Sequence, residues 1–325
     1  MNKIHEKSPC CRGSVWRLGE RRRRCSICKK TWRVWQKKRG RKRDRLDMNS
    51  LFKYFKGNLK NTRLEKKTLS AHLRILLKKF NQETPWPPIP DGPIILIADG
   101  LIQFFGKEKY TIYFILVRSI TDSKAFILPP YMRAGGEINQ GWREAFAQIP
   151  NEVFVRIKAL VCDGHGGLIY LPKDNNWVLQ RCQFHLLARV AHCASFGLLG
   201  KSNGVGIRVK NLIEVALYSR DSHTVYLAIE ALIKIKLTIT SRTFKGVISG
   251  FIKNYEDYRS YLNFPKYNLP STSNTAESLN ALLRNLQYRA RGFSTPGSLM
   301  SWITGFCKYK KSIICNAKIT PNSFN

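Results

Sequence analysis

The feature that most constrains the fold of this chain is a series of β-rich apolar segments that fills its second quarter. Three such segments follow one another with only short polar gaps, a spacing that is typical of consecutive strands. An amphipathic helical pattern comes next, and a fourth apolar run follows it. The order strand, strand, strand, helix, strand predicts an α/β domain built on one sheet. The segments lie at 94–100, 110–120, 124–132, 138–149 and 155–167.

Two aspartates stand where the first and fourth predicted strands end. Asp99 follows "IILIA" and Asp163 follows "IKALVC", and each precedes a glycine. An isolated Asp-Gly pair is more often a turn, which is the alternative for either residue alone. If the two strands are neighbours, however, both carboxylates reach one edge of the sheet. Adjacent carboxylates repel each other, so such a pair is stable mainly when it shares a divalent cation.

Glu277 is the candidate for a third carboxylate. It lies in "STSNTAESLNALLR", where a polar stretch opens a helix. With Asn274 as N-cap, Glu277 also has the spacing of a capping box, and from spacing alone capping is the favoured role. A third carboxylate beside Asp99 and Asp163 would complete a two-metal site for phosphoryl transfer.

Four cysteines near the N-terminus have the spacing of a zinc ribbon. Cys25 and Cys28 form a two-residue knuckle, and Cys11 lies where the second knuckle is expected. A regular knuckle there would have a cysteine at the position of Ser8, so the fourth ligand is open between Cys10 and His5. Clustered cysteines of this kind indicate metal binding in a reducing compartment. A metal-free remnant of a ribbon is the alternative.

The charge of the chain indicates a polyanionic partner. There are 56 Lys and Arg against 21 Asp and Glu, a formal net charge of +35, and about +22 of it lies in residues 1–80. Basic side chains on phosphates release condensed counterions, which favours binding to nucleic acid. A ribosome-associated protein or plain solubility are the alternatives. The N-terminal residues predicted to bind DNA are Arg21, Arg22, Arg23, Arg24, Arg39, Arg41, Lys42 and Arg43.

Shifts in composition predict the domain organisation. Apolar residues between 51 and 80 recur at helical spacing in two groups, which suits either a helix-turn-helix or a plain helical hairpin. The five prolines of 81–93 cannot continue a helix and predict a linker. The resulting divisions are a ribbon at 1–36, a basic arm with the two helices at 37–80, the linker, a main domain at 94–310, and a tail at 311–325.

Four short motifs together resemble the Mutator-type DDE transposases and their bacterial relatives. The motifs are "IADG" around Asp99, "VCDGHGGL" around Asp163, "RCQFHL" containing Cys182 and His185, and "SNTAESLNALLR" around Glu277. The resemblance covers about 94–310, and the family also includes members with an N-terminal zinc ribbon. Cys182 and His185 match the family's Cys-x2-His signature, and the Asn-x-x-Glu context of Glu277 matches that of the family's catalytic glutamate.

The resemblance implies an RNase H-like core, of the retroviral-integrase type, with Asp99, Asp163 and Glu277 as ligands of two Mg²⁺ or Mn²⁺ ions. It makes Glu277 a ligand rather than a cap. It also accounts for the 114 residues between Asp163 and Glu277, because the family inserts a helical subdomain there, here about 186–262. Cys182 and His185 would brace that insertion against the core. Zinc binding together with His192 and Cys193 is the alternative.

The function expected from these features is a DNA transposase that cleaves and joins strands at the ends of a mobile element. Arg284, Arg289 and Arg291 are the expected phosphate contacts near Glu277. Joining two double-stranded DNA ends to a target requires a homodimer or a larger assembly. No apolar run is long enough for a membrane span and no secretory signal is evident, so a cytoplasmic protein, nucleoid-associated if bacterial, is expected. A non-catalytic DNA-binding regulator derived from a transposase and another RNase H-like nuclease are the alternatives.

Overall fold

The computed structural model describes residues 3–19, 22–33, 46–59, 64–195 and 203–315. These residues form a mixed α/β structure with a small antiparallel sheet at the N-terminus and a larger mixed sheet covered by helices. The predicted α/β class is therefore confirmed at this level. None of the helices in the described ranges has the length and apolar character needed to cross a membrane.

The N-terminal sheet has four short strands in sequential antiparallel order. Its interior is small: Val15 and Cys25, which are paired across two neighbouring strands, are both fully buried. So small a core cannot by itself stabilise a domain, which is why units of this size usually require a metal. The strands are β1 (Lys3–Lys7), β2 (Ser14–Arg17), β3 (Arg22–Cys25) and β4 (Thr31–Arg33).

Two helices, α1 (Met48–Lys56) and α2 (Lys66–Glu83), precede the main sheet. Asp47 begins α1 with a capping box that it forms with Ser50, and Gly57 ends α1 in the left-handed conformation. The apolar faces of both helices belong to the same core cluster as the main sheet and the two C-terminal helices. Thus α1 and α2 pack on the main domain and share its core.

The main sheet has seven strands. Six of them lie in the order β10-β9-β5-β6-β7-β11, and β8 pairs with β6 beside β7. Strands β10, β9 and β5 are mutually parallel, whereas β6, β7 and β11 alternate in direction. The strands are β5 (Ile94–Phe105), β6 (Glu108–Ser119), β7 (Lys124–Ile127), β8 (Tyr131–Ala134), β9 (Ile157–Cys162), β10 (Val178–Arg181) and β11 (Ser312–Ile314).

The first strand of this sheet is longer than its sequence predicted. It runs to Phe105 because all twelve of its residues pair with β6 across a hairpin whose turn contains Gly106. Asp99 therefore lies inside β5 rather than at its end. With respect to β9, however, Asp99 does stand beyond the end of the pairing, because the parallel pairing between β5 and β9 stops after Ile97 and Val161.

Helices cover both faces of the main sheet. On one face pack the short helices α3 (Asn139–Phe146), α4 (Asn151–Phe154) and α5 (Tyr170–Asp174). On the other pack α10 (Asn274–Ala290) and α11 (Pro296–Lys310), together with α1 and α2. Residues of α10 that face the sheet recur at helical spacing: Ala276, Leu279, Leu283 and Leu286.

A helical insertion separates β10 from α10. It consists of α6 (Gln183–Ser195), α7 (Asn203–Tyr218), α8 (Ser222–Thr238) and α9 (Arg242–Asn263), followed by a short 3-10 helix (Pro265–Tyr267). The four helices enclose an apolar core of their own. The helical character expected for about 186–262 matches these elements, and α6 begins a few residues earlier than expected.

Candidate metal centres

Asp99 and Asp163 occupy matched positions on the adjacent parallel strands β5 and β9. The register pairs Ile97 with Val161, so each aspartate stands two residues beyond the last pair. Side chains alternate along a strand, so Asp99 lies on the same face as Ile97, which packs in the core beneath α10. Asp163 Oδ1 accepts a hydrogen bond from the His165 backbone N–H at 2.8 Å. Asp163 therefore makes the local hydrogen bond expected of a turn residue, and it also stands near the edge where the pairing of β5 with β9 stops.

Glu277 lies in the first turn of α10, which packs on β5. The sequence suggested Asn274 as its N-cap, but the N-cap residue is Ser273, and the helix begins at Asn274 without any side-chain capping bond. The capping box that spacing favoured is therefore absent. Glu277 Oε1 instead lies 3.3 Å from His185 Nδ1 and 3.4 Å from Ser273 Oγ.

The electrostatics of Asp99 indicate that the three predicted carboxylates lie near one another. Burial, together with the charges of Asp163 and Glu277, raises the pKa of Asp99 to about 7, against the opposing effect of His185. The Asn280 side chain donates to Asp99 Oδ2 at 2.7 Å. Asn280 follows Glu277 by three residues on α10, so both reach the same point above β5.

Glu137 is a fourth carboxylate at this site, and the sequence reading did not identify it. Burial raises its pKa, and the charge of Asp163 acts in the same direction. The indole of Trp142, which is fully buried, donates to Glu137 Oε1 at 2.9 Å. A Cβ at Gly100 would come within 2.8 Å of Glu137 Oε2, so only glycine after Asp99 leaves room for this carboxylate.

His165 also lies beside Glu137, with 3.5 Å between its Nδ1 and Glu137 Oε1. That nitrogen also accepts a hydrogen bond from the Gly167 backbone N–H at 3.1 Å. No local pattern in the sequence identifies Glu137, which stands two residues before α3 in the segment between β8 and β9.

Cys182 and His185 lie against Glu277. Cys182 is fully buried at the start of α6, and its Sγ is 4.0 Å from Glu277 Oε1. The ligand atoms of Cys182, His185 and Glu277 all lie within 4.8 Å of one another. Interaction with the Cys182 thiol raises the pKa of His185 to about 9, and the carboxylates of Glu277 and Asp163 add to the shift. Cys193, the alternative partner, is buried in the core of the helical insertion instead.

The N-terminal cysteines form a second cluster. The sulfur atoms of Cys10, Cys11, Cys25 and Cys28 all lie within 4.8 Å of one another, so this set can hold a metal ion. Hydrogen bonding, chiefly from the Ser8 hydroxyl, lowers the pKa of Cys25 to about 6. A different interaction, hydrogen bonding with the side chain of Cys28, raises the pKa of Cys11 to about 12.

The fourth position of this cluster is filled by Cys10. Ser8, which stands where a regular knuckle has its first cysteine, is buried and contacts Cys25 Sγ through Oγ at 3.1 Å. Cys10 Sγ lies 3.2 Å from Cys28 Sγ. The side chain of His5, the other candidate, lies outside the described residues.

The predicted DNA-binding residues divide into three groups. Arg22, Arg23 and Arg24 lie on β3 of the N-terminal sheet. Arg284, Arg289 and Arg291 are exposed on α10 or at its C-terminal end, and Arg289 also donates to the Phe55 carbonyl at the end of α1. The remaining five lie outside the described residues: Arg21, Arg39, Arg41, Lys42 and Arg43.

Comparison with known proteins leaves the family open. No family model matches the chain, and no curated protein matches it. Among solved structures, "NurA with manganese" aligns at 12% identity over 76% of this chain and 64% of that one, with a TM-score of 0.13. "NurA bound to dAMP and manganese" aligns at 13% over 76% and 63%, with the same TM-score. The chain thus spans just under two thirds of these proteins, and a likeness this weak carries no argument about fold or activity.

Proposed function

We propose that this protein is a DDE-type DNA transposase, which uses divalent metal ions to cleave and transfer DNA strands at the ends of a mobile element. The observation that carries the proposal is the meeting of Asp99, Asp163 and Glu277. They come from two neighbouring strands and one helix that are far apart in sequence, yet both other carboxylates raise the pKa of Asp99. Ionised carboxylates that lie close together repel one another, so their grouping indicates a site that binds cations.

The strand arrangement supports an RNase H-like core. Strands β5, β6 and β7 form an antiparallel unit, and β9 and β10 extend it in parallel from the β5 side. In such a core the first and fourth strands are neighbours and carry acidic residues near one edge. The helical insertion between β10 and α10 separates Glu277 from this sheet in sequence and agrees with the resemblance to Mutator-type transposases.

The donor set fits Mg²⁺ or Mn²⁺. It consists of carboxylate oxygens from Asp99, Asp163 and Glu277, with Glu137 beside them. The amide oxygen of Asn280, adjacent to Asp99, is buried and has no hydrogen-bond partner among the described residues. Two such ions would neutralise the charge that develops on the attacking and leaving oxygens of a phosphodiester.

The chain's own residues supply positioning. Asn280 holds Asp99 by its hydrogen bond at 2.7 Å, and Trp142 holds Glu137 at 2.9 Å. The His165 N–H holds Asp163 at 2.8 Å. Asp99, Glu137 and Asp163 are therefore held by hydrogen bonds, which reduces the reorganisation needed when a phosphodiester is bound in line. No protein nucleophile is required, because water and then a DNA 3′-hydroxyl attack phosphorus.

A basic face extends from this site along α10. Arg284, Tyr288 and Arg291 follow Glu277 at offsets that keep them on one side of the helix. They extend about 20 Å from the carboxylates, at 1.5 Å per residue. Tyr288 is 86% exposed, which suits contact with a sugar or base. We propose that this face and the N-terminal sheet, with zinc on its four cysteines, bind double-stranded DNA at the element ends and the target, as a homodimer or larger assembly.

The test is cleavage and strand transfer on DNA that carries the element's own ends, with Mg²⁺ or Mn²⁺. Asp99→Asn, Asp163→Asn and Glu277→Gln are each expected to lower the rate at least a thousandfold while DNA binding persists, since charge stabilisation by metal ligands supplies several kcal/mol. Glu152→Gln is the matched control, because Glu152 is an exposed carboxylate on α4, just before the start of β9.

Three other outcomes would change the assignment. Tight DNA binding without cleavage under any metal condition would favour the non-catalytic regulator. Metal-dependent cleavage of DNA lacking element ends, without strand transfer, would favour another RNase H-like nuclease. Full activity of Glu277→Gln alone would move the third ligand elsewhere, and Glu137 would be the next residue to substitute.

A further inference from the structure

A second group of possible metal ligands lies beside the carboxylates and shares Glu277 with them. It consists of Cys182, His185 and Glu277, which come from the start of α6 and the start of α10. We propose that these three residues bind one thiophilic divalent ion of the Zn²⁺ class. The ion would tie the helical insertion to α10. Sulfur, imidazole nitrogen and carboxylate oxygen form a set that favours Zn²⁺ over Mg²⁺.

The distances between the ligand atoms suit one tetrahedral ion. With Zn–S near 2.3 Å and Zn–N and Zn–O near 2.1 Å, ligand atoms should be about 3.4 to 3.6 Å apart. Glu277 Oε1 lies 3.3 Å from His185 Nδ1 and 4.0 Å from Cys182 Sγ. The third pair, Cys182 and His185, also has its ligand atoms within 4.8 Å of each other. Three protein ligands leave a fourth position for water.

The orientation of His185 also points to an ion. Its Nδ1 is buried and makes no hydrogen bond within the described part of the chain, although Glu277 Oε1 is only 3.3 Å away. An ion placed between these two atoms would use both of them as ligands. The side chains of His185 and Glu277 are 35% and 27% exposed, so an ion can enter from solvent.

The backbone around Cys182 directs a hydrogen-bond donor at its sulfur. Cys182 directly precedes α6, so its sulfur lies at the positive end of that helix. The Ser273 backbone N–H donates to Cys182 Sγ at 3.2 Å. Glu277 is likewise in the first turn of α10. The starts of two helices thus bring Cys182 and Glu277 together, and one ion bound there would link α6 to α10.

The test is the zinc content of the full chain after equilibration with Zn²⁺ and removal of loosely bound ion. Wild type is expected to retain two equivalents, one in the N-terminal cluster and one here. Cys182→Ser and His185→Ala should each lose one equivalent, and Cys25→Ser with Cys28→Ser should lose the other. Cys193→Ser is the matched control, because Cys193 is also a buried cysteine on α6 but lies in the core of the insertion.

A spectroscopic readout separates binding from folding. In the Cys25→Ser, Cys28→Ser background, Co²⁺ should give a thiolate charge-transfer band that disappears in Cys182→Ser, while circular dichroism is unchanged. Equal zinc content in wild type, Cys182→Ser and His185→Ala would overturn the proposal. The result does not depend on the proposed strand transfer, although Glu277 is shared between the two ligand sets, because no cleavage is measured.

Discussion

Asp99 is the residue whose protonation depends most on the fold around it. Its carboxyl is largely buried, and its pKa is raised to about 7. The charges of Asp163, Glu277 and Glu137 contribute to this rise. Within the described residues, Asp99 accepts hydrogen bonds from the backbone N–H of Gly100 and from the side-chain amide of Asn280. The ionised form is thus disfavoured without a cation, so metal binding and proton release should be coupled.

In the metal-free protein, Asp99 should make stability fall as the pH rises. The folded state raises its pKa from 3.8 to about 7, so the fold favours the protonated form. That contribution is fully present below about pH 4 and is lost as the pH rises through about 7, with an upper limit of about 4 kcal/mol. We expect Asp99→Asn to remove this part of the pH dependence. Melting temperatures in a metal chelator between pH 4 and 8 would check it, and parallel curves for wild type and variant would contradict it.

Gly100 is expected to be intolerant of even one methyl group. A Cβ there would lie 2.8 Å from the Glu137 carboxylate and would displace it from Trp142. If Glu137 supports the proposed metal site, Gly100→Ala should weaken Mn²⁺ binding by about tenfold or more, as loss of a supporting residue does elsewhere. Titration calorimetry would measure this. Gly246→Ala is the control, because nothing lies within 4 Å of a Cβ at that position. Equal affinities in the two variants would refute the prediction.

At the scale of elements, α1 and α2 are joined to the C-terminal helix α11. The ring of Phe55 packs on Trp302, Phe306 and Tyr309, with centroids 5.3 to 6.0 Å apart. The buried ammonium of Lys308 donates to the carbonyls of Asn81 and Thr84 at the end of α2, each at 2.6 Å. A helix-turn-helix that bound DNA on its own would leave these contacts unexplained.

Substitution of Phe55 should therefore destabilise the main domain. Phe55→Ala removes a side chain that is 3% exposed, and such truncations cost about 3 to 5 kcal/mol. We expect the urea midpoint of the main domain to fall accordingly. Tyr288→Ala, at an 86% exposed ring, should leave it unchanged. A midpoint that is insensitive to Phe55→Ala would mean that α1 folds independently of the core.

For the whole molecule, the dominant property is its charge. A net +35 is spread over 325 residues, and the basic face of α10 begins at the carboxylate site. Acidic residues are few, and four of them lie in one half-buried site: Asp99, Glu137, Asp163 and Glu277. The molecule thus combines an overall positive field that attracts DNA with a local negative site that attracts cations.

DNA affinity should depend steeply on salt. Each phosphate contact that is lost reduces the slope of log K against log salt by about one. Arg284→Ala and Arg291→Ala should each do so if they contact phosphate. Lys234→Ala is the control, since Lys234 is exposed on α8 of the insertion. Fluorescence anisotropy between 50 and 300 mM salt would measure the slopes, and identical slopes for all three variants would exclude α10 as a DNA-binding face.

The sequence by itself determined the local elements. Apolar runs and helical spacing predicted β5, β6 and β9 and the helical character of the insertion, because the spacing of buried residues along the chain differs between strands and helices. The predicted strand at 124–132 is divided into β7 and β8, and β10 and β11 were not predicted. The paired knuckle of Cys25 and Cys28 was also evident, since metal ligands at a fixed short spacing need no tertiary information. Asp99 and Asp163 could be named for a similar reason, as polar residues that end buried runs.

Only the tertiary structure decided which distant groups meet. Glu137 and Asn280 reach the carboxylate site because a loop and a helix cross β5, and no local pattern indicates such a crossing. Cys10 completes the cysteine cluster, whereas Ser8 is buried and its hydroxyl contacts the sulfur of Cys25. Glu277 does not form a capping box because the N-cap residue is Ser273, one residue before the N-cap that the sequence suggested. Local propensity depends on neighbours in sequence, whereas a site depends on packing between elements that the sequence lists far apart.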